Sequence, residues 1–376
     1  MASFSVDDHR FMAHALELAR RGLYSTHPNP RVGCVIVANG EIVGEGYHVR
    51  AGGPHAEIHA LNAAGDRARG ATAYVTLEPC SHHGKTPPCA DALVTAGVGR
   101  VVAAMKDPNP LVAGEGLKRL QSAGIQTESG LMQDEAARIN PGFIKRMTQG
   151  LPWVRIKLAM SLDGRTAMAS GESQWITGEA SRRDVQFLRA RSEAILTGIG
   201  TVLADDPSMN LRLDAGELGI DEPVLQPLRV VLDSKLQMAS KAKMLGLEGK
   251  TLVVTHTAKS DQKGALEQAG AEVMELPGEG HRVDLKTLMK EMAQREVNEI
   301  HVEAGSELCG ALLAQNLVDE LVIYMAGHIM GDAAKGLFRL PGLETMADRR
   351  PVRITDIRAV GEDWRITAYP VNQEND

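Results

Sequence analysis

Apolar residues recur at helical spacing at the start of the chain. Phe11, Met12, Ala15, Leu16 and Ala19 fall on one face of a helix, with Asp7 and Asp8 near its start and Gly22 at its end. The period then shortens. Residues 32–37 and 41–46 read as two strands joined by Asn39-Gly40, a dipeptide suited to a tight hairpin turn. Beyond them the pattern alternates: a helix over 55–64, a strand over 71–77, a helix over 89–96, a strand over 100–105, a helix over 116–123 and a strand over 125–128. The run Thr148-Gln149-Gly150-Leu151-Pro152 punctuates the chain before a fresh strand at 153–160. Further strands are expected at 194–197, 228–232, 251–255, 299–303 and 320–326, with helices between several of them; the polar stretch 214–226 reads as a surface loop. Such alternation predicts an α/β protein with a largely parallel central sheet and helices on both faces, divided into residues 1–150 and 151–376. No internal repeat or low-complexity tract interrupts it.

The length of 376 residues fits two domains, and 43% hydrophobic with 24% charged residues is the composition of a chain that folds. Net charge is −7. The first 150 residues carry 15 basic against 14 acidic side chains, leaving 26 against 34 in the rest. Neither part has the excess of cations that phosphate-backbone binding needs, and 3% aromatics are too few for base-stacking platforms, so no nucleic-acid partner is expected. Four cysteines do not make a disulfide framework in a chain of this size. The N-terminus has no signal-peptide order of regions, and no apolar run approaches the ~18 residues of a membrane span, so a cytoplasmic protein without membrane contact is expected.

Chemistry enters at His55-Ala56-Glu57, which opens a predicted helix, and at Pro79-Cys80 and Pro88-Cys89, which lie at the end of the next strand and the start of the next helix. One imidazole and two thiolates suit zinc by softness and leave the fourth tetrahedral position for water, as in a catalytic site. Glu57, two residues beyond His55, can face that water as a proton shuttle without binding the metal. The H-x-E…P-C…C pattern is the signature of the zinc nucleobase deaminases. Their cysteines are usually separated by two residues; here they stand nine positions apart, with SHHGKTPP between. Two alternatives stay open: a closed structural zinc site completed by His82 or His83, and a pair of small buried cysteines with no metal. His59 shares a helix face with His55 and could imitate a paired metal site.

The insertion points to a family. PHAEIHAL followed by TLEPCSHHGKTPPC resembles the deaminase domain of the bifunctional riboflavin-biosynthesis enzymes, and the resemblance continues upstream in HPNPRVGCVIV and GEGYHVRAGGPHAE, covering residues 1–150. It implies a cytidine-deaminase-like αβα domain that hydrolyses an amino group of a diamino-hydroxy-ribosylaminopyrimidine 5′-phosphate. It also implies that His55, Cys80 and Cys89 bind Zn2+ and that Glu57 is the proton donor. Asn29 is a candidate to bind the pyrimidine edge, or a turn residue only. His48, His82 and Lys85 are candidates for the ribose phosphate, or solvated surface groups.

After residue 150 no G-x-G-x-x-G follows a strand, which argues against a Rossmann domain. Three segments stand out instead: Lys157 to Arg165 leaving a strand, Thr197 to Pro207 with its Gly-rich turn, and Val302 to Leu308 turning through Gly305 into a helix. The last two present backbone N–H groups where folds receive phosphates, although glycine also joins strands to helices for steric reasons alone. In this order, over roughly residues 152–369, they resemble the reductase domain of the same family, which is dihydrofolate-reductase-like and uses NADPH to open a ribosyl group to ribityl. The resemblance implies a cofactor site lined by Ala159, Trp175, Thr201, Asp205, Ser234, Gly305, Ser306, Glu307 and Leu308. It implies a substrate site lined by Ser173, Arg189, Met209, Arg212 and Glu303, where the planar forks of Arg189 and Arg212 suit a phosphate. Asp205 and Lys157 are candidates for proton handling, and Cys309 reads as a packed core residue. A homo-oligomer acting on a small pyrimidine ribonucleotide completes the expectation.

Overall fold

The computed structural model describes residues 4–81, 88–110, 112–257 and 260–371. The chain divides into two compact units, Met1–Gly150 with Asp214–Val224, and Leu151–Leu213 with Leu225–Asp376.

The first unit is built on strands β1 (Gly33–Ala38), β2 (Glu41–Tyr47), β3 (Thr72–Val75), β4 (Arg100–Ala103) and β5 (Gln126–Ser129), in the order β2-β1-β3-β4-β5. The hairpin at Asn39-Gly40 forms as the dipeptide dictates, both residues having positive φ. The sheet is mixed rather than largely parallel. β1 runs antiparallel to both neighbours, because the hairpin reverses the chain before the helical crossovers begin, while β3, β4 and β5 are parallel.

Helices α1 (Val6–Arg21), α2 (Ala56–Ala64), α3 (Cys89–Ala96) and α4 (Glu115–Ser122) pack around it. Ser5 and Asp8 form a capping box at the start of α1, and the buried Asp8 carboxylate also accepts from Tyr74 and Arg100 on the sheet. Two glycines permit close docking. A methyl at Gly33 would meet the Ala15 carbonyl oxygen at 2.0 Å, and one at Gly44 would meet that of Ala60 at 2.2 Å, so α1 and α2 rest directly on β1 and β2. α5 (Gln133–Ile139) and α6 (Pro141–Gln149) follow.

The second unit carries a nine-stranded sheet. β6 (Trp153–Ser161), β8 (Ala194–Gly198), β9 (Leu228–Leu232), β10 (Thr251–Thr255), β11 (Ala271–Glu275), β12 (Glu299–Val302) and β13 (Glu320–Ala326) are mutually parallel, and β15 (Val352–Val360) and β16 (Asp363–Pro370) add an antiparallel hairpin. The order is β11-β10-β9-β8-β12-β6-β13-β16-β15, with β7 (Arg165–Ala167) and β14 (Lys335–Gly336) paired separately. Helices α7 (Glu179–Ala190), α8 (Ile199–Asp205), α10 (Ser260–Gln268), α11 (Leu285–Gln294) and α12 (Ser306–Ala314) connect the strands. The stretch expected as a plain loop, most of which belongs to the first unit, contains α9 (Ala215–Leu218), capped by a box between Asp214 and Glu217. β7, β11 and the C-terminal hairpin were not expected; β15 is exposed along nearly its whole length, so it carries no core-facing stripe to betray it. Among the described residues no helix is long and apolar enough to cross a membrane.

Candidate active sites

In the first unit, three elements deliver three soft donors to one point. His55 is the N-cap of α2 but makes no side-chain cap, which leaves its imidazole available. Cys80 follows β3, and Cys89 is the first residue of α3 after Pro88. His55 Nδ1 lies 3.2 Å from Cys89 Sγ and 3.6 Å from Cys80 Sγ, the Cys89 N–H donates to Cys80 Sγ at 3.3 Å, and all three donor atoms fall within 4.8 Å of one another. One imidazole nitrogen and two sulfurs at this spacing fit zinc, with a coordination position left over. His59 stays outside the group, and His82 and Lys85, with His83, lie outside the described residues.

The electrostatics are those of a proton-handling site. The hydrogen bond from the Cys89 thiol, aided by His55, draws Cys80 down to about 4 against the opposing effect of burial, and the same bond pushes Cys89 up. Hydrogen bonding to Cys80 raises His55. Glu57, in the first turn of α2 and 3% exposed, is pushed up to about 7 by burial and by the neighbouring Cys80.

Asn29 and His48 join this site. Asn29 Nδ2 is 3.0 Å from His48 Nε2, and His48 Nδ1 is 3.0 Å from the Pro54 carbonyl oxygen. A carbonyl only accepts, so Nδ1 carries the proton and Nε2 accepts from the Asn29 amide. Burial lowers the pKa of His48, and its ring stands edge-on to His55 at 5.2 Å. Both ring nitrogens are engaged, so a phosphate oxygen would have to displace a partner to reach them.

The second unit holds a cavity of about 950 Å³. Its wall contains Ala159, Trp175, Thr201, Asp205, Gly305, Ser306, Glu307 and Leu308, and also Ser173, Arg189, Met209, Arg212, Glu303 and Lys157. Ser234 stands in the turn after β9 and is not among the lining residues. Gly305 is the N-cap of α12, so the first residues of that helix form part of the wall. A cavity of this volume, with a helix start in its wall, fits a dinucleotide such as NADPH.

Arg189 departs from its expected use. Its fork is taken by Glu303, through Nε to Oε1 at 2.6 Å and Nη2 to Oε2 at 2.9 Å, while Nη1 donates to the Asn210 carbonyl at 2.8 Å. Burial would raise the Glu303 carboxyl; Arg189 and His301 outweigh it and hold it well below the usual range. Arg212 makes no ion pair among the described residues, and burial lowers the Lys157 ammonium. Three neighbours escaped the sequence reading: Arg182, whose guanidinium lies 4.8 Å from the centre of the 70%-exposed Trp175 ring, Gln174, which donates to Asp205, and His301 with Nε2 3.2 Å from Glu303 Oε1. The spacing of His301 two residues before Glu303, on one strand face, was the available signal for the last.

Residues 5–105 match the cytidine and deoxycytidylate deaminase zinc-binding region, and residues 152–366 match the RibD C-terminal domain. The riboflavin biosynthesis protein RibD of Escherichia coli is 52% identical over 95% of this chain and 98% of its own length. The chain belongs to the RibD family. Among solved structures, RibD of Acinetobacter baumannii superposes with a TM-score of 0.89 at 45% identity, covering 97% of this chain and 99% of that one. A diaminohydroxyphosphoribosylaminopyrimidine deaminase/5-amino-6-(5-phosphoribosylamino)uracil reductase of Thermotoga maritima does so at 0.83 and 31% identity, over 97% and 99%. As a RibD protein the chain is a bifunctional enzyme of riboflavin biosynthesis, a cytidine-deaminase-like deaminase using zinc joined to a dihydrofolate-reductase-like reductase using NADPH.

Proposed function

We propose that residues 1–150 are the deaminase and residues 151–376 the reductase. In this reading they act in turn on 2,5-diamino-6-ribosylamino-4(3H)-pyrimidinone 5′-phosphate. The first removes a ring amino group as ammonia, and the second reduces ribosyl to ribityl, giving 5-amino-6-ribitylaminouracil 5′-phosphate. The convergence of His55 Nδ1, Cys80 Sγ and Cys89 Sγ beside a buried Glu57 is the observation that carries the reading.

His55, Cys80 and Cys89 hold zinc, which when bound supplies a Lewis acid that makes water nucleophilic near neutral pH. Glu57, buried in the first turn of α2, takes a proton from the attacking water and gives it to the departing amine. Asn29 presents its amide oxygen to the pyrimidine edge, with its nitrogen steadied by His48. The ribose phosphate is assigned to His48, His82 and Lys85, and His48 would have to release Asn29 or the Pro54 carbonyl to bind it.

In the reductase, Ala159, Trp175, Thr201, Asp205 and Gly305 to Leu308 would hold NADPH, which when bound supplies the hydride for the ribose anomeric carbon. Ser173, Arg189, Met209, Arg212 and Glu303 hold the substrate. Arg189 fixes Glu303, and Arg212 is the cation left for the phosphate. The enzyme works in the cytoplasm, where Cys80 and Cys89 stay reduced, as a homo-oligomer.

Incubation with the diaminopyrimidine phosphate tests the whole reading. Without NADPH the product should be one deaminated uracil phosphate, and with NADPH the ribityl compound two hydrogens heavier. Recovery of unchanged substrate under both conditions would refute it.

A further inference from the structure

The nine-position separation of Cys80 and Cys89 raises a geometric question. A two-residue spacer sets the separation of two thiolates by itself; a longer one does not, so their positions must be set from elsewhere. Glu78, buried at 4% exposure, stands two residues before Cys80. Its carboxylate accepts three backbone N–H bonds: from Asp107 at 3.1 Å and Gly114 at 2.8 Å on Oε2, and from Leu117 at 3.1 Å on Oε1. All three donors lie in the segment leading from β4 into α4. Gly114 is the N-cap of α4 and has no side chain with which to cap it, so Glu78 supplies the missing acceptor from across the fold.

The helix held in this way touches both sulfur-bearing segments. A methyl at Gly116 would stand 1.9 Å from the Pro79 carbonyl oxygen, so the backbone of α4 lies directly against the residue preceding Cys80. One turn on, Arg119 donates to the Ser81 carbonyl at 3.5 Å and to Asp91 Oδ2 at 2.7 Å. Asp91 lies in the first turn of α3, two residues after Cys89.

We infer that Glu78 is a positioning residue of the deaminase: by capping α4 it fixes the helix whose Gly116 and Arg119 set where Cys80 and Cys89 present their sulfurs. The inference rests on the zinc reading above. Glutamine at position 78 keeps the shape but turns an NH2 group toward backbone donors, which cannot accept from them.

The test uses the full-length chain with Glu78→Gln and, separately, Arg119→Gln, an exposed change that leaves the core intact. Zinc affinity is read by chelator competition, and the sulfur-to-metal charge-transfer band is read after cobalt substitution. Glu78→Gln should weaken zinc about tenfold or more. It should also shift the cobalt band and lower kcat for ammonia release with KM little changed. Arg119→Gln should do the same more weakly. NADPH oxidation on the deaminated pyrimidine should persist in both, reporting a folded chain. Unchanged zinc affinity and an unchanged cobalt band would overturn the inference, and if Glu78→Gln fails to fold, Arg119→Gln decides alone. A wild-type chain that bound no zinc would instead overturn the metal reading, and this inference with it.

Discussion

Arg189 and Glu303 meet in a two-point ion pair, both nitrogens of the fork reaching both carboxylate oxygens, and the remaining Nη1 is anchored on the Asn210 carbonyl. Arg189 is buried and Glu303 half-buried on the cavity wall. Removing one partner leaves the other charge without its hydrogen bonds, which typically costs about 1–3 kcal/mol. Arg189→Met should therefore lower the urea midpoint of the second unit and abolish NADPH oxidation. Ammonia release should continue. A variant that oxidised NADPH at the wild-type rate would show that the pair has no part in the reduction.

Glu57→Gln keeps the size of the side chain and removes its ability to move a proton. Ammonia release should fall by at least about a hundredfold, with zinc content by metal analysis unchanged. NADPH oxidation should survive when the deaminated pyrimidine is supplied. Deamination at an undiminished rate would remove Glu57 from the mechanism.

Cys80→Ser replaces a thiolate that ionises readily with a hydroxyl that does not. Zinc per chain should drop well below one and ammonia release with it. Full stoichiometry in the purified variant would exclude Cys80 as a ligand.

The second unit should lose stability on the acid side earlier than its carboxylates alone would dictate. His301 is fully buried, and burial lowers its pKa below the ordinary 6.5. As pH falls through 6.5 the unfolded chain takes up a proton that the folded chain resists, so stability declines from there. Glu303 and Glu320 are held below 4.5 by Arg189 and Arg155 despite burial; they contribute stability above 4.5 and lose it as pH falls further toward their folded values. The urea midpoint should thus begin to drop just below pH 6.5, and His301→Leu should remove that first part of the decline while leaving the second. A midpoint flat down to 4.5 in the wild type would contradict the assignment.

Much of this was legible in the chain. α3 begins and ends where apolar spacing placed it, and β9, β10 and β13 coincide with their apolar runs, because each buries its residues within one continuous segment. His55, Glu57, Cys80 and Cys89 stood out as candidates because imidazole, carboxylate and thiol advertise their chemistry, even with nine positions between the cysteines instead of the usual short spacer. The use of Arg189 was not, since its partner lies 114 positions away and only the fold brings them together. Glu78 was equally silent: a carboxylate that accepts from backbone leaves no side-chain partner to find. Residues 352–360 gave little periodic signal because β15 has no buried face.

That exposed hairpin has a protective consequence. β13 is the strand ELVIYMA, six of its seven residues apolar, and β16 covers the edge that β6 leaves open. β15 in turn becomes the outermost strand, where Arg353, Asp356 and Arg358 interrupt the apolar residues. The hairpin thus exchanges a sticky rim for a charged one, the usual defence against strand-to-strand aggregation. A chain cut before Val352 would bare β13 and should accumulate in the insoluble fraction, even though no residue assigned to either active site would have been lost.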